Sequence, residues 1–513
     1  MSGADVLTRR AALKAAAATS LLAATRAQGQ TDPTAANFTG VREDGVAVFK
    51  GIRYARAARF ARPVIEPVPT QPTSATQFGP VAPQRGLADT LQSEDCQTLA
   101  IWTPDPRPGA NRPVMVYFHG GAYSGGTAFD PLTWGGKLAA AQDVVVATVN
   151  HRLNAFGYAW LKPFGAGYAD SGNLGQLDLI AALLWVRANI AAFGGDPARV
   201  MVFGQSGGGA KIATLMAMPA AAGLFHAAAT MSGQQVVASG PNHAWARTQA
   251  LMARLQLAPT DIDSLRTMDF AKLVEGLDAV DPIMGGAVYF GPVLDMTNLP
   301  RHPFWPDAAP QSLAIPMILG NTHDETRAFI DPRGPKLQGL AWDNLAERIA
   351  PEIKVDLDTK WVVDRYRAQY PTWSPERVFY AATTAGRSWP GQVLEADARG
   401  AAGAKRTWVY QLDRPSPLDP LRGAAHTDDL PYVFGTLDAP GSKSGTDAAA
   451  RTLSGEMMGA FAHTARMGNP GWTPYRLPSR ATMVFDVPSR VIEDPRCWER
   501  ELWSAAPYIQ PGS

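Results

Sequence analysis

Phe203-Gly204-Gln205-Ser206-Gly207-Gly208 closes the apolar run Arg199-Val200-Met201-Val202-Phe203, placing one serine between glycines at the end of a strand-like segment. A serine hydroxyl attacks a carbonyl only where a tight turn lifts it off its strand and the following helix leaves room around it. Glycines at 204 and 208 meet that need, because side chains two positions away on either side would collide with strand or helix. The pattern Gly-x-Ser-x-Gly reads as a nucleophile elbow, although a plain glycine-rich strand-to-helix turn has the same spelling.

An elbow calls for prearranged N–H donors where negative charge develops on the former carbonyl oxygen. Upstream, Pro113-Val114-Met115-Val116-Tyr117-Phe118 runs into His119-Gly120-Gly121-Ala122-Tyr123-Ser124-Gly125-Gly126. Consecutive glycines let the amides of Gly120 and Gly121 turn toward one point, and Gly207 supplies a third donor just after the serine. No Gly-Lys-Ser/Thr follows, which argues against a phosphate-cradling loop.

The same chemistry needs an acid and a base later in the chain, in the order serine, acid, histidine. Among eight histidines, His426 lies in a loop after the strand-like Thr407-Trp408-Val409-Tyr410-Gln411-Leu412. For the acid, Asn321-Thr322-His323-Asp324-Glu325 leaves the apolar run Ile315-Pro316-Met317-Ile318-Leu319-Gly320, with Asp324 and Glu325 as adjacent alternatives. All three lie beyond strand ends, where open α/β sheets meet their ligands.

With these motifs in hand, the chain resembles the type-B carboxylesterases, a group that includes bacterial para-nitrobenzyl esterases and cholinesterases. Val46-Ala47-Val48-Phe49-Lys50-Gly51-Ile52-Arg53-Tyr54-Ala55 is similar to the family's opening hairpin. Ser93-Glu94-Asp95-Cys96 matches a second signature, and Gly172-Asn173-Leu174-Gly175-Gln176-Leu177-Asp178 begins the run leading into the elbow. The resemblance implies an α/β-hydrolase fold, with a mostly parallel central sheet flanked by helices and insertions covering the pocket. It implies Ser206 as nucleophile, Glu325 as acid and His426 as base, with donors Gly120, Gly121 and Gly207. No cofactor and no metal is implied.

Departures from the family pattern carry information. Gln205 stands where the family usually has glutamate, removing a negative charge beside the base, and Gly207 stands where alanine is usual. Ser232, in Met231-Ser232-Gly233, resembles a family serine that supports the acid–histidine pair. Between Ala82 and Cys96 there is no tryptophan of the kind cholinesterases use to hold a quaternary ammonium. Choline esters are therefore poor substrates on this reading. Tyr123 is expected to add bulk at the pocket wall, favouring soluble, short-to-medium acyl or aryl esters. A lipase, an amidase or a specialised esterase would use the same machinery, and the family's catalytically dead binding members keep its fold.

Thr8-Arg9-Arg10-Ala11-Ala12-Leu13-Lys14 followed by a mild apolar stretch resembles a twin-arginine signal, so residues 1–27 are expected to be a signal peptide and 28–513 one catalytic domain, exported to the periplasm or medium. No later stretch reads as apolar enough to span a membrane. With 47 basic against 46 acidic residues the net charge is +1, which disfavours nucleic acid or an anionic membrane as a partner and leaves a small-molecule ester. The two cysteines, Cys96 and Cys497, read as free buried thiols, with a bridge as the alternative. Strands are expected near 98–103, 113–118, 144–149, 199–203, 315–319 and 407–412, and helices over 174–192, 207–217, 243–256, 342–369 and 450–467.

Overall fold

The structure is a computed structural model that describes residues 32–513; the expected signal segment, its twin arginines and the cleavage region near Gln28 lie outside the described residues. Eleven strands form one sheet: β1 (Val41–Glu43), β2 (Val46–Arg53), β3 (Thr98–Thr103), β4 (Arg112–Phe118), β5 (Val145–Val149), β6 (Gly195–Gln205), β7 (Ala227–Met231), β8 (Met317–Thr322), β9 (Thr407–Leu412), β10 (Ala481–Phe485) and β11 (Arg490–Glu493). Their spatial order is β11-β10-β9-β8-β7-β6-β4-β5-β3-β2-β1. From β5 to β10 neighbouring strands pair in parallel, and antiparallel strands finish both edges. This is the α/β-hydrolase architecture expected from the sequence.

Near-continuous apolar runs such as Val145-Val146-Ala147-Thr148-Val149 suit strands buried on both faces. One face packs on helix α1 (Leu174–Asn189) and on α2 (Gly207–Leu215). The other packs on α4 (Ala448–Met467). Residues 166–193 are long and apolar enough to cross a membrane, contrary to the sequence reading. Two-thirds of that window is buried within the protein (67%), so its hydrophobicity is accounted for by the core.

Two segments that carry no sequence motif, about 235–312 and about 335–400, brace the loops above the sheet. In the first, Asn173 holds the backbone of Val293 through both its side-chain polar atoms, at 2.7 and 3.1 Å. In the second, the Thr326 hydroxyl bonds to Thr383 at 2.8 Å and Thr384 at 3.0 Å, fastening a helical layer to the Glu325 loop. Helix α3 (Trp389–Ala401) belongs to this layer. The helix expected over 342–369 is broken into Leu345–Ile349 and Thr359–Gln369, with Pro351 and a stretch of irregular chain between them. Both cysteines are free; Cys96 is buried, but Cys497 is exposed, because it opens a short helix near the C-terminus.

Candidate active site

Five neighbouring strands, β4, β6, β7, β8 and β9, deliver the loop Gly120–Gly126, Ser206, Ser232, Glu325 and His426 from their carboxyl ends. Ser206 sits between β6 and α2 with φ 54° and ψ −123°, a strained left-handed conformation for a residue with a side chain. The turn closes because its glycines touch backbone: a Cβ on Gly208 would lie 1.9 Å from the Phe118 carbonyl oxygen, and one on Gly207 2.0 Å from that of Ala122. The second contact accounts for glycine where the family usually has alanine. It also docks the elbow against the glycine loop, where a Cβ on Gly120 would be 3.3 Å from the Ser206 Cβ. Gly121 and Ala122, at φ 83° and 55°, bend that loop over the serine.

Glu325 is fully buried and accepts hydrogen bonds on one oxygen from Ser232 Oγ at 2.5 Å, the Thr322 amide at 2.9 Å and Asn321 Nδ2 at 3.1 Å. Its other oxygen meets His426 Nδ1. Burial pushes this carboxyl up, but the charge and hydrogen bond of His426, together with Ser232 and Thr322, outweigh burial and hold it below the ordinary glutamate value. An ionised Glu325 accepting from Nδ1–H leaves the lone pair of the neutral imidazole on Nε2. That lone pair faces the Gln205 amide, 3.0 Å away between nitrogens.

The adjacent Asp324 points elsewhere: it pairs with His323 and Arg327 and accepts from the Ala424 amide. Of the two acids left open by the sequence, Glu325 is the one in contact with His426. Asp428 is tied to Arg422 and to the Ala425 amide. Asp429 is fully buried; burial pushes its carboxyl up to about 7, and Tyr410 donates to it at 2.7 Å.

Tyr123 contradicts the expectation of a bulky pocket wall. It is 1% exposed, with its hydroxyl 3.0 Å from Gln235 and 3.2 Å from Thr214 and its ring against Tyr158, so the side chain turns into the core. The apolar group beside His426 is instead Phe329, about half exposed, whose ring centre lies 4.9 Å from that of the imidazole and 5.0 Å from the Arg387 guanidinium carbon. Nothing in the sequence around Phe329 signals this role; the short 3-10 turn Glu325–Ala328 brings it there.

A parallel sheet, a strained serine at a strand-to-helix turn and a buried Glu–His pair above neighbouring strand ends are the marks of a serine hydrolase of the α/β-hydrolase fold. The chain belongs to the carboxylesterase family, whose profile matches residues 28–483, and it is a serine carboxylic ester hydrolase. It is 34% identical to the para-nitrobenzyl esterase of Bacillus subtilis over 492 residues, 90% of this chain and 96% of that protein. It is 31% identical to the phenmedipham hydrolase of Pseudarthrobacter oxydans over 503 residues, covering 90% and 94%. The carboxylesterase of Geobacillus stearothermophilus superposes with a TM-score of 0.80 at 34% identity, covering 91% of this chain and 98% of that one.

Proposed function

We propose that hydrolysis runs through an acyl-enzyme on Ser206. His426 Nε2 takes the hydroxyl proton as Oγ attacks the ester carbonyl, then returns it to the departing alkoxide. Glu325 holds the Nδ1–H tautomer and stabilises the imidazolium that forms. The amides of Gly120, Gly121 and Gly207 receive the oxyanion. Water repeats the cycle on the acyl-enzyme. The observation that supports this reading is the Glu325–His426 pair, whose Nε2 meets the side chain of Gln205, the residue just before a serine in strained backbone.

The substrates proposed are soluble carboxylic esters with a short-to-medium acyl or aryl group, since Phe329 offers an exposed aromatic face next to the base. The name of the Bacillus subtilis relative, a para-nitrobenzyl esterase, points to the same class. A serine-reactive phosphonate should label Ser206 in stoichiometric amount and abolish activity. Ser206→Ala should lower kcat by roughly 10⁴ to 10⁶ with the fold intact, by analogy with loss of the serine in a serine protease. A folded Ser206→Ala protein of near-native activity would end the assignment. A panel of esters of graded acyl length, with one amide and one triglyceride emulsion, separates this reading from an amidase or a lipase.

A further inference from the structure

Lys211 lies one and a half turns into α2 from the elbow and is fully buried. No ion pair involving it occurs among the described residues, and its Nζ donates a 3.0 Å hydrogen bond to the carbonyl oxygen of His119. That carbonyl belongs to the same peptide unit as the Gly120 N–H. The protein therefore buries an ammonium without a counter-ion, at a cost of several kcal/mol, where a methionine would fill the space. The bond it makes is to one end of a peptide whose other end is the Gly120 N–H, the amide proposed above as an oxyanion donor.

We propose that the Lys211 ammonium polarises the His119–Gly120 peptide, drawing electron density toward the carbonyl and making the Gly120 N–H a stronger donor to the oxyanion. Lys211 is thus a positioning and polarising residue for ester hydrolysis, acting through the backbone without touching substrate. The proposal rests on the reading of Gly120 as an oxyanion donor and goes beyond it. Hydrogen bonds in series strengthen one another, and in a dry interior a fixed charge acts with little screening.

The groups around the ammonium leave it as the local charge. The His119 and His151 imidazoles are stacked, ring centres 4.9 Å apart, and burial holds both neutral; His119 is pulled down to about 3. The Tyr123 ring is 5.9 Å from Nζ, and burial keeps its phenol protonated, as it does that of Tyr158 on the α1 side. Arg152 and Asp178 neutralise each other in a buried pair. Burial pushes Glu395, from α3, up to about 8. Burial likewise pushes Lys211 itself down to about 7, so its charge, and with it the polarisation, is lost as pH rises past neutrality.

The test compares wild type with Lys211→Met, using a soluble aryl ester and an aryl trifluoromethyl ketone, which adds to the serine as a charged hemiketal. At or below neutral pH the variant should lose about 10-fold in kcat, a part of the 10²–10³ that removal of a whole donor costs. KM should be unchanged, and ketone affinity should fall by the same factor as kcat. The decline of kcat expected of wild type above neutral pH should be absent from the variant. Wild-type kcat and ketone affinity in the variant, or an equal loss at every pH with the decline retained, overturn the proposal. If Lys211→Met does not fold, wild type alone decides: ketone affinity that weakens above neutral pH supports the proposal, and a flat profile overturns it. A ketone that forms no Ser206 adduct at all overturns the acyl-enzyme reading as well, which separates the two failures.

Discussion

Replacing Gln205 by glutamate places a carboxylate where an amide now faces the His426 imidazole, the proposed base, and the geometry sets the size of the effect. The Gln205 and His426 nitrogens are 3.0 Å apart, and at that separation an effective dielectric constant of about 20 gives an attraction of about 5.5 kcal/mol between carboxylate and imidazolium. At 1.36 kcal/mol per unit this is about 4 pK units if nothing opposes it. Two things do. Gln205 is 2% exposed, so charging the new side chain costs several kcal/mol of desolvation. Glu325 already supplies a negative charge on the other side of the same ring. The expected net effect is a shift of roughly one to two units. A negative neighbour favours the protonated ring, which cannot accept the serine proton, so the acid limb of kcat/KM moves to higher pH. The assay is the pH profile of kcat/KM on a soluble p-nitrophenyl ester, with Gln205→Met as a control that removes the hydrogen bond without adding charge. Its acid limb should stay with that of wild type. An acid limb in folded Gln205→Glu that coincides with both would refute the reasoning, because it would mean that the carboxylate stays protonated or turns away from the base.

Two further outcomes follow from the packing and one from the sequence. Gly207→Ala should lower kcat by about 10²-fold, the scale of one lost oxyanion donor, because its Cβ would meet the Ala122 carbonyl at 2.0 Å and drive the glycine loop back; kinetics on the purified variant, with circular dichroism for the fold, check this. Lys211→Met should raise thermal stability while lowering activity. A lysine held at about 7 against an ordinary 10.5 penalises the folded state in full below pH 7, by up to about 5 kcal/mol, and the penalty fades as pH rises toward 10.5; the Tm gap between variant and wild type should therefore be widest at low pH. Replacing Arg9 and Arg10 by lysines should retain the precursor in the cytoplasm if the leader is a twin-arginine signal, and cell fractionation reads the result; continued export of processed protein favours the general secretory route.

The loops that meet at the site were legible in the sequence because their chemistry demands particular residue types at particular turns. Glycine flanking a serine, paired glycines after an apolar run, and a histidine beyond a late strand all leave local marks. What stayed hidden depends on tertiary placement. Strand β7, Ala227-Ala228-Ala229-Thr230-Met231, is spelled largely in alanine, which favours helices, and only burial between β6 and β8 makes it a strand. Helices 375–385 and 389–401 begin with proline at their first or second positions and carry no motif. Tyr123 shows the limit most clearly. Its neighbours place it on a loop over the pocket, yet the left-handed Ala122 before it turns the ring into the core, where Gln235 from a distant segment completes its hydrogen bonding.

In the proposed mechanism the tetrahedral intermediate is an ion pair, imidazolium on one side and oxyanion on the other, and this chain distributes its buried charges unevenly between them. The imidazolium has one full carboxylate, Glu325, held by three donors, while the place beside Nε2 is given to a neutral amide. The nearby acid Asp429 is pushed up to about 7 by burial, so it is only partly ionised at neutral pH. On the oxyanion side the chain adds a buried lysine without an ion-pair partner among the described residues, Lys211, bonded to the peptide that carries the proposed donor Gly120. A carboxylate at 205 would help the imidazolium but would stand against the same glycine, since the Gln205 Oε1 lies 3.0 Å from where a Gly120 Cβ would be, and there it would repel the developing oxyanion. A neutral 205 and a buried ammonium at 211 therefore act in the same direction: both make the field at the carbonyl oxygen more positive, and leave stabilisation of the protonated base to Glu325 alone.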